Sequence, residues 1–205
     1  MRFNIPYQNT GNFLINVFQL LASTVIVVKL GQILGPQQYG LYSIAIAIIT
    51  IISLPINAAL PVLIIKEASS ALSQNDIEKT NNIFRWSVHR ILKYSFFSII
   101  VGCFFLFIFI DYFDIVFLEA LIISSLLLPL SSLNRCIGAF IRSHGQITLG
   151  LLNDDFKSQL LFAFLIIFIS FDEKYILYNA KQALILNVFT ALISFFIGLI
   201  FLMKF

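Results

Sequence analysis

Charge is what this chain has least of. Lys, Arg, Asp and Glu make up 11% of its 205 residues, whereas 60% are hydrophobic and the mean hydropathy is +0.96. Soluble domains carry about a quarter charged residues, and a soluble core needs a polar shell that so few charges cannot build. The expected solvent for most of the surface is lipid. Cysteine is scarce too: Cys103 and Cys136 each sit in an apolar run, with no CxxC spacing and no Cys/His cluster. That excludes a thiolate metal site and leaves two thiols expected to be buried. The histidines are only His89 and His144, and no paired aspartates stand in an extended outer loop. An embedded glycosyl or acyl transferase would need such groups, so neither an enzyme nor a cofactor is expected. Although the net charge is +3 and the pI about 8.9, the basic residues stand singly between apolar runs. Without a basic patch there is no footprint for nucleic acid.

What is present is a series of long apolar runs. A hydrocarbon core of about 30 Å takes about 20 residues of helix, and six runs meet that length. They are expected over Phe13 to Leu34, Leu41 to Leu60, Ile91 to Ile110, Ile115 to Ile137, Gly150 to Phe171 and Asn179 to Met203. The first continues through Val25 to Val28 instead of ending in a small-residue cleavage site, so it reads as a span and not as a secretory signal. No internal repeat or linker divides the chain, and residues 1–205 are expected to form one all-α transmembrane body.

Turn chemistry separates the runs. Between the first two, Gly35 can take the positive φ of a helix end and Pro36 the fixed φ of a new first turn. Tyr39 and Tyr42 are expected at membrane-surface depth. Pro55 and Pro61 each remove a backbone donor, so the second span is expected to kink or to stop early. Lys66 to Arg90 is the one sizeable polar segment. Asn75 with Glu78 reads as a helix start there, feeding an interfacial helix with Trp86 directly into the third span.

Orientation follows from the 13 basic residues. In a six-span arrangement one side collects Arg2, Lys66, Lys79, Arg85, Arg90, Lys93, Arg135, Arg142, Lys157 and Lys204, and the other only Lys29, Lys174 and Lys181. That asymmetry places both termini in the cytoplasm.

Polar side chains inside spans are costly and are the candidates for function. Arg135 and Arg142 lie seven apart, about 10.5 Å along nearly the same helix face, where they either grip a diphosphate or act as snorkelling anchors. Asn179 and Lys181, with Lys29, either form a cationic outer vestibule or anchor the interface. Asp154 and Lys157 suit an i, i+3 pair at a helix start, and Glu119 is an outer carboxylate with a possible coupling role. Asn16, Gln19, Asn57 and Asn187 either line a path or bridge helices.

The segment GQILGPQQYG from Gly31 to Gly40, continuing LYSIAIAIITIISLP, resembles the LGPxxYG turn of the polysaccharide-exporting flippases, the oligosaccharide repeat-unit translocases of the MATE-like superfamily. Ile65 to Ala68 with Asp76, Glu78 and Lys79 are similar to that family's first cytoplasmic loop, and Gly138 to Gly145 to its fourth-helix exit. Gln32 departs from an arginine frequent in the family. The resemblance implies an inner-membrane transporter of lipid-linked oligosaccharide (a polyprenyl diphosphate-sugar) working by alternating access among membrane lipids. Arg135, Arg142, Asn16, Asn179 and Lys181 would then be the substrate-binding candidates. It also implies that this is the N-terminal six-helix lobe of a two-lobed machine. The second lobe would be missing or supplied by a second copy, or the chain would be a non-transporting remnant.

Overall fold

The computed structural model describes residues 5–108, 114–171 and 179–203. Among them the chain is all helical, as expected, with seven α-helices and one π turn: α1 Ile5–Ser73, α2 Ile77–Ile108, α3 Ile115–Ser125, α4 Leu127–Ser143, α5 Ile147–Leu151, a π turn Leu152–Phe156, α6 Lys157–Phe171 and α7 Ala180–Leu202. Three stretches, Gly11–Ser73, Ile115–Ser143 and Ala180–Leu202, are long and apolar enough to cross a membrane. Large apolar side chains cover the outside, with Phe96 at 68% and Phe164 at 66% exposure. An exterior of this kind is stable only against lipid, and the chain has the helices of a membrane protein.

α1 is not a rod. Gly35 has φ 72 and ψ 168, a conformation that glycine alone adopts without a Cβ penalty, and Pro36 begins the next arm. Asn16 and Gln19 before the break border the same cavity as Asn57 and Pro61 after it. At 1.5 Å per residue Asn16 lies about 28 Å before Gly35 and Asn57 about 33 Å after it, so the two arms form an antiparallel hairpin. The reversal expected across Gly31 to Gly40 is concentrated at one residue.

The prolines do not end the second arm, which runs through Pro55 and Pro61 to Ser73. A proline in a helix frees carbonyls in the preceding turn. Pro55 withholds its amide from the Ile51 carbonyl, and the Tyr94 hydroxyl of α2 donates to the adjacent Ile52 carbonyl at 2.7 Å, so a neighbouring helix adds a bond beside the proline. Helix α2 then begins one residue later than expected: Asp76 caps it, its carboxylate accepting from the Lys79 amide at 2.9 Å, while Asn75 holds the turn at φ 55. From Ile77 the helix runs unbroken through Trp86, as expected, to Ile108. Residues 109 and 110 of the expected third span lie outside the described residues.

The expected fourth span is longer and bent. Pro129 withholds an amide from the Ser125 carbonyl, α3 gives way to α4 at Leu126, and α4 carries both arginines to Ser143. The fifth is interrupted: Asp154 has ψ −138 inside the π turn, leaving α6 as a shorter apolar helix. Tyr42 turns into the bundle. It is buried, stacks on Phe162 and accepts from the Asn187 amide at 3.0 Å. Cys136 is buried as expected, but Cys103 is exposed.

Two glycines allow a close backbone approach within the bundle. A Cβ on Gly138 of α4 would meet the Gly150 carbonyl at 2.6 Å, and one on Gly150 would meet the Gly138 carbonyl at 2.5 Å. Backbone is thus packed on backbone, as small residues permit between membrane helices. Gly138→Ala should cost about 1–3 kcal/mol as an overpacked contact, whereas Gly31→Ala, with nothing within 4 Å, should be neutral or slightly stabilising. Denaturation in mixed micelles measures both; equal stability of the two variants would contradict this packing.

Candidate functional site

The Gly138–Gly150 approach brings the π turn against α4, and polar side chains gather there. Arg142 reaches back across the Gly145 turn to Asp154, Nη1 to Oδ2 at 2.5 Å, with both side chains largely sheltered at 14% and 24% exposure. This is the pairing the structure shows for Asp154. Lys157, its expected i, i+3 partner, instead donates to Asn153 Oδ1 at 3.0 Å and lies 4.2 Å from the centre of the Phe201 ring. The correction has a geometric cause: the non-helical ψ at Asp154 breaks the 100° periodicity on which an i, i+3 pair depends.

Behind the ion pair stands a buried amide relay. Asn153 Nδ2 donates to the Asn134 carbonyl at 3.3 Å, and Asn134 Nδ2 to the Ala191 carbonyl at 3.4 Å. Gly198 of α7 leaves room for Asn153, whose side-chain oxygen would lie 2.7 Å from a Cβ placed there. The π turn is thereby fastened to α4 and α7, satisfying polar groups that hydrocarbon would leave bare. Such turns recur at functional sites because they re-aim side chains within a helix.

In front of the pair lies a cavity of about 260 Å³ between the two arms of α1, α4 and the π turn. Its polar lining is Asn16, Gln19, Asn57, Arg135, Arg142 and Asp154. Two guanidinium groups and one carboxylate thus border the same space. The side-chain oxygen of Asn57 and Nε of Arg142 are buried with no hydrogen-bond partner. Buried polar atoms left open at a polar cavity call for water or a polar ligand. No group of three or more His, Cys, Asp or Glu suited to a metal ion occurs among the described residues.

Of the five expected binding residues, Asn16, Arg135 and Arg142 meet at this cavity; the seven-residue spacing of the arginines does put them on one face. Asn179 and Lys181 do not join them. The Ala180 amide donates to Gln38 Oε1 at 3.1 Å beside the Gly35 reversal, which places the start of α7 at the opposite end of the bundle. There Lys181 pairs with Glu119 at 2.9 Å in a half-exposed contact. An exposed pair of this sort contributes about 0–1 kcal/mol.

Comparison with known protein families, curated proteins and solved structures returns no match.

Sequence reasoning missed Asp154 as the counter-ion of Arg142, and Asn134 and Asn153 as buried relays. The available signal was a polar run, Asn153 to Asp155, inside an apolar segment and one turn away from Arg142. A double-mutant cycle over Arg142→Gln and Asp154→Asn should return a coupling of about 1–3 kcal/mol, the range for contacting partners in one network. Coupling below about 0.5 kcal/mol would mean that solvent screens the pair.

Proposed function

We propose that this protein is one six-helix lobe of a flippase that moves lipid-linked oligosaccharide across the cytoplasmic membrane. The observation that carries the reading is the polar cavity, bordered by two arginines, between the arms of α1, α4 and the π turn. The resemblance of the LGPQQYG turn supports it, and in the fold that turn is the hairpin reversal at Gly35. Counting both arms of α1, α2, the α3–α4 pair, the α5–α6 segment and α7 gives six crossings, with both termini cytoplasmic by the distribution of basic residues.

The cavity size bears on what part of the substrate it meets. Ligand pockets for drug-sized molecules run from about 300 to 1,000 Å³, so 260 Å³ suits a diphosphate with its waters and not a sugar repeat. In this reading Arg135 and Arg142 contact the diphosphate by charge-assisted bonds, with Asn16, Gln19 and Asn57 as neutral partners. Asp154 holds the Arg142 fork in place between substrates. The sugar occupies space completed by a second six-helix body, from a longer chain or a second copy, and turnover comes from rocking of the two. The prenyl tail stays in lipid.

Two measurements test this. Reporter fusions after Ser73 and after Asp114 should face opposite sides of the membrane, Ser73 inward; the same side for both would sink the six-crossing topology. In cells making the exported polysaccharide, Arg135→Lys and Arg142→Lys should each lower surface polysaccharide about tenfold at matched membrane abundance. A charged bond lost with the guanidinium fork is worth about 1.5–3 kcal/mol. Normal export by both, and by the double alanine variant, would make the arginines topology anchors.

A further inference from the structure

A second concavity lies on the opposite face of the second arm of α1, and it differs in kind from the polar cavity. It is a seam between that arm and α2. Near the polar segment it opens to about 670 Å³, walled by Pro55, Ala59 and Leu63 on one side and by Trp86, Arg90 and Lys93 on the other. Deeper along the same helices it continues as a space of about 650 Å³ lined by Ile52, Val101, Cys103 and Leu121 among other apolar groups. Tyr94 and Phe97 belong to both parts. The Tyr94 hydroxyl is already engaged by the Ile52 carbonyl at 2.7 Å, so toward the seam Tyr94 offers an apolar ring.

The two ends are chemically unlike. At one end Arg90 and Lys93 are exposed, and neither has a carboxylate within ion-pair distance among the described residues. Arg90 rests over the Trp86 ring, 5.2 Å from its centre, which orders the guanidinium against the wall of the seam. The other end carries no charge. From Lys93 to Cys103 is about 15 Å of helix, half of a hydrocarbon core of about 30 Å. The seam therefore runs at least half the thickness of a hydrocarbon core, from two cations at one end along an apolar trough that Leu121 and Phe117 of α3 continue.

We propose that this seam is a resident site for one anionic phospholipid of the bilayer. Its phosphate is held by Arg90 and Lys93, and an acyl chain lies past Phe97 toward Cys103. Two facts favour lipid over a partner helix. A helix would have to neutralise both cations at one end of the trough, and a hydrocarbon chain is already at hand along its whole length. The bound chain would fill the space that the tie between Tyr94 and Ile52 holds open.

The full-length protein, stripped of lipid in detergent, is titrated with phosphatidylglycerol and phosphatidylcholine of matched chains and followed by native mass spectrometry. Phosphatidylglycerol should bind about tenfold or more tightly, since each basic residue near anionic lipid contributes about 1 kcal/mol. R90Q/K93Q should abolish that preference while still admitting both lipids weakly, and Ser98→Trp, which fills the trough, should lose both. Glycerol phosphate, a headgroup without chains, should not compete. Equal affinity for the two lipids, a preference that survives R90Q/K93Q, or full competition by glycerol phosphate would each overturn the proposal. If Ser98→Trp fails to fold, the charge variant and the competition decide alone.

Discussion

In hydrocarbon a polar group has only the protein to bond with, and that one condition organises this bundle. It explains why the described chain is helical throughout, since a helix satisfies its own backbone. It also explains the exceptions. One residue from the Ile51 carbonyl that Pro55 leaves without an amide, Tyr94 crosses from α2 to the Ile52 carbonyl. Where the π turn opens the backbone, Asn153 and Asn134 pass hydrogen bonds from helix to helix as far as Ala191. These two irregularities are tied to neighbouring helices.

The same condition concentrates charge. Arg142 and Asp154 would each be expensive alone at this depth, and together they are tolerable because the Gly138–Gly150 contact lets α4 and the π turn approach closely enough to pair them. Arg135, one face-repeat earlier on α4, shares the cavity. The side-chain oxygen of Asn57 and Nε of Arg142 stay open there, hydrogen-bonding capacity that the bundle has not spent internally. On the far face of the same α1 arm the chemistry inverts, with an apolar trough whose only charges sit at its rim. One helix thus separates a polar cavity facing the bundle from a seam facing the lipid.

Some features were readable from local chemistry. The reversal at Gly35 followed from a glycine before a proline between two apolar runs, and the pairing of Arg135 with Arg142 on one face from their spacing. Others were misread because partners come from elsewhere in the fold. Tyr42 looked like a surface ring until Phe162 and Asn187 enclosed it. Asp154 looked like the partner of Lys157 until the π turn aimed it at Arg142. Asn179 and Lys181 carried the right groups for a binding set but sit at the other end of α7, beside Glu119 and Gln38.

By itself the sequence determined the solvent, the all-helical class and the position of the hairpin, because hydropathy, helical periodicity and glycine–proline conformation are properties of neighbouring residues. Only the tertiary structure decided which polar groups meet. That choice depends on a close approach between two glycines twelve positions apart and on a single non-helical torsion at Asp154, and neither leaves a pattern in the residue types that surround it.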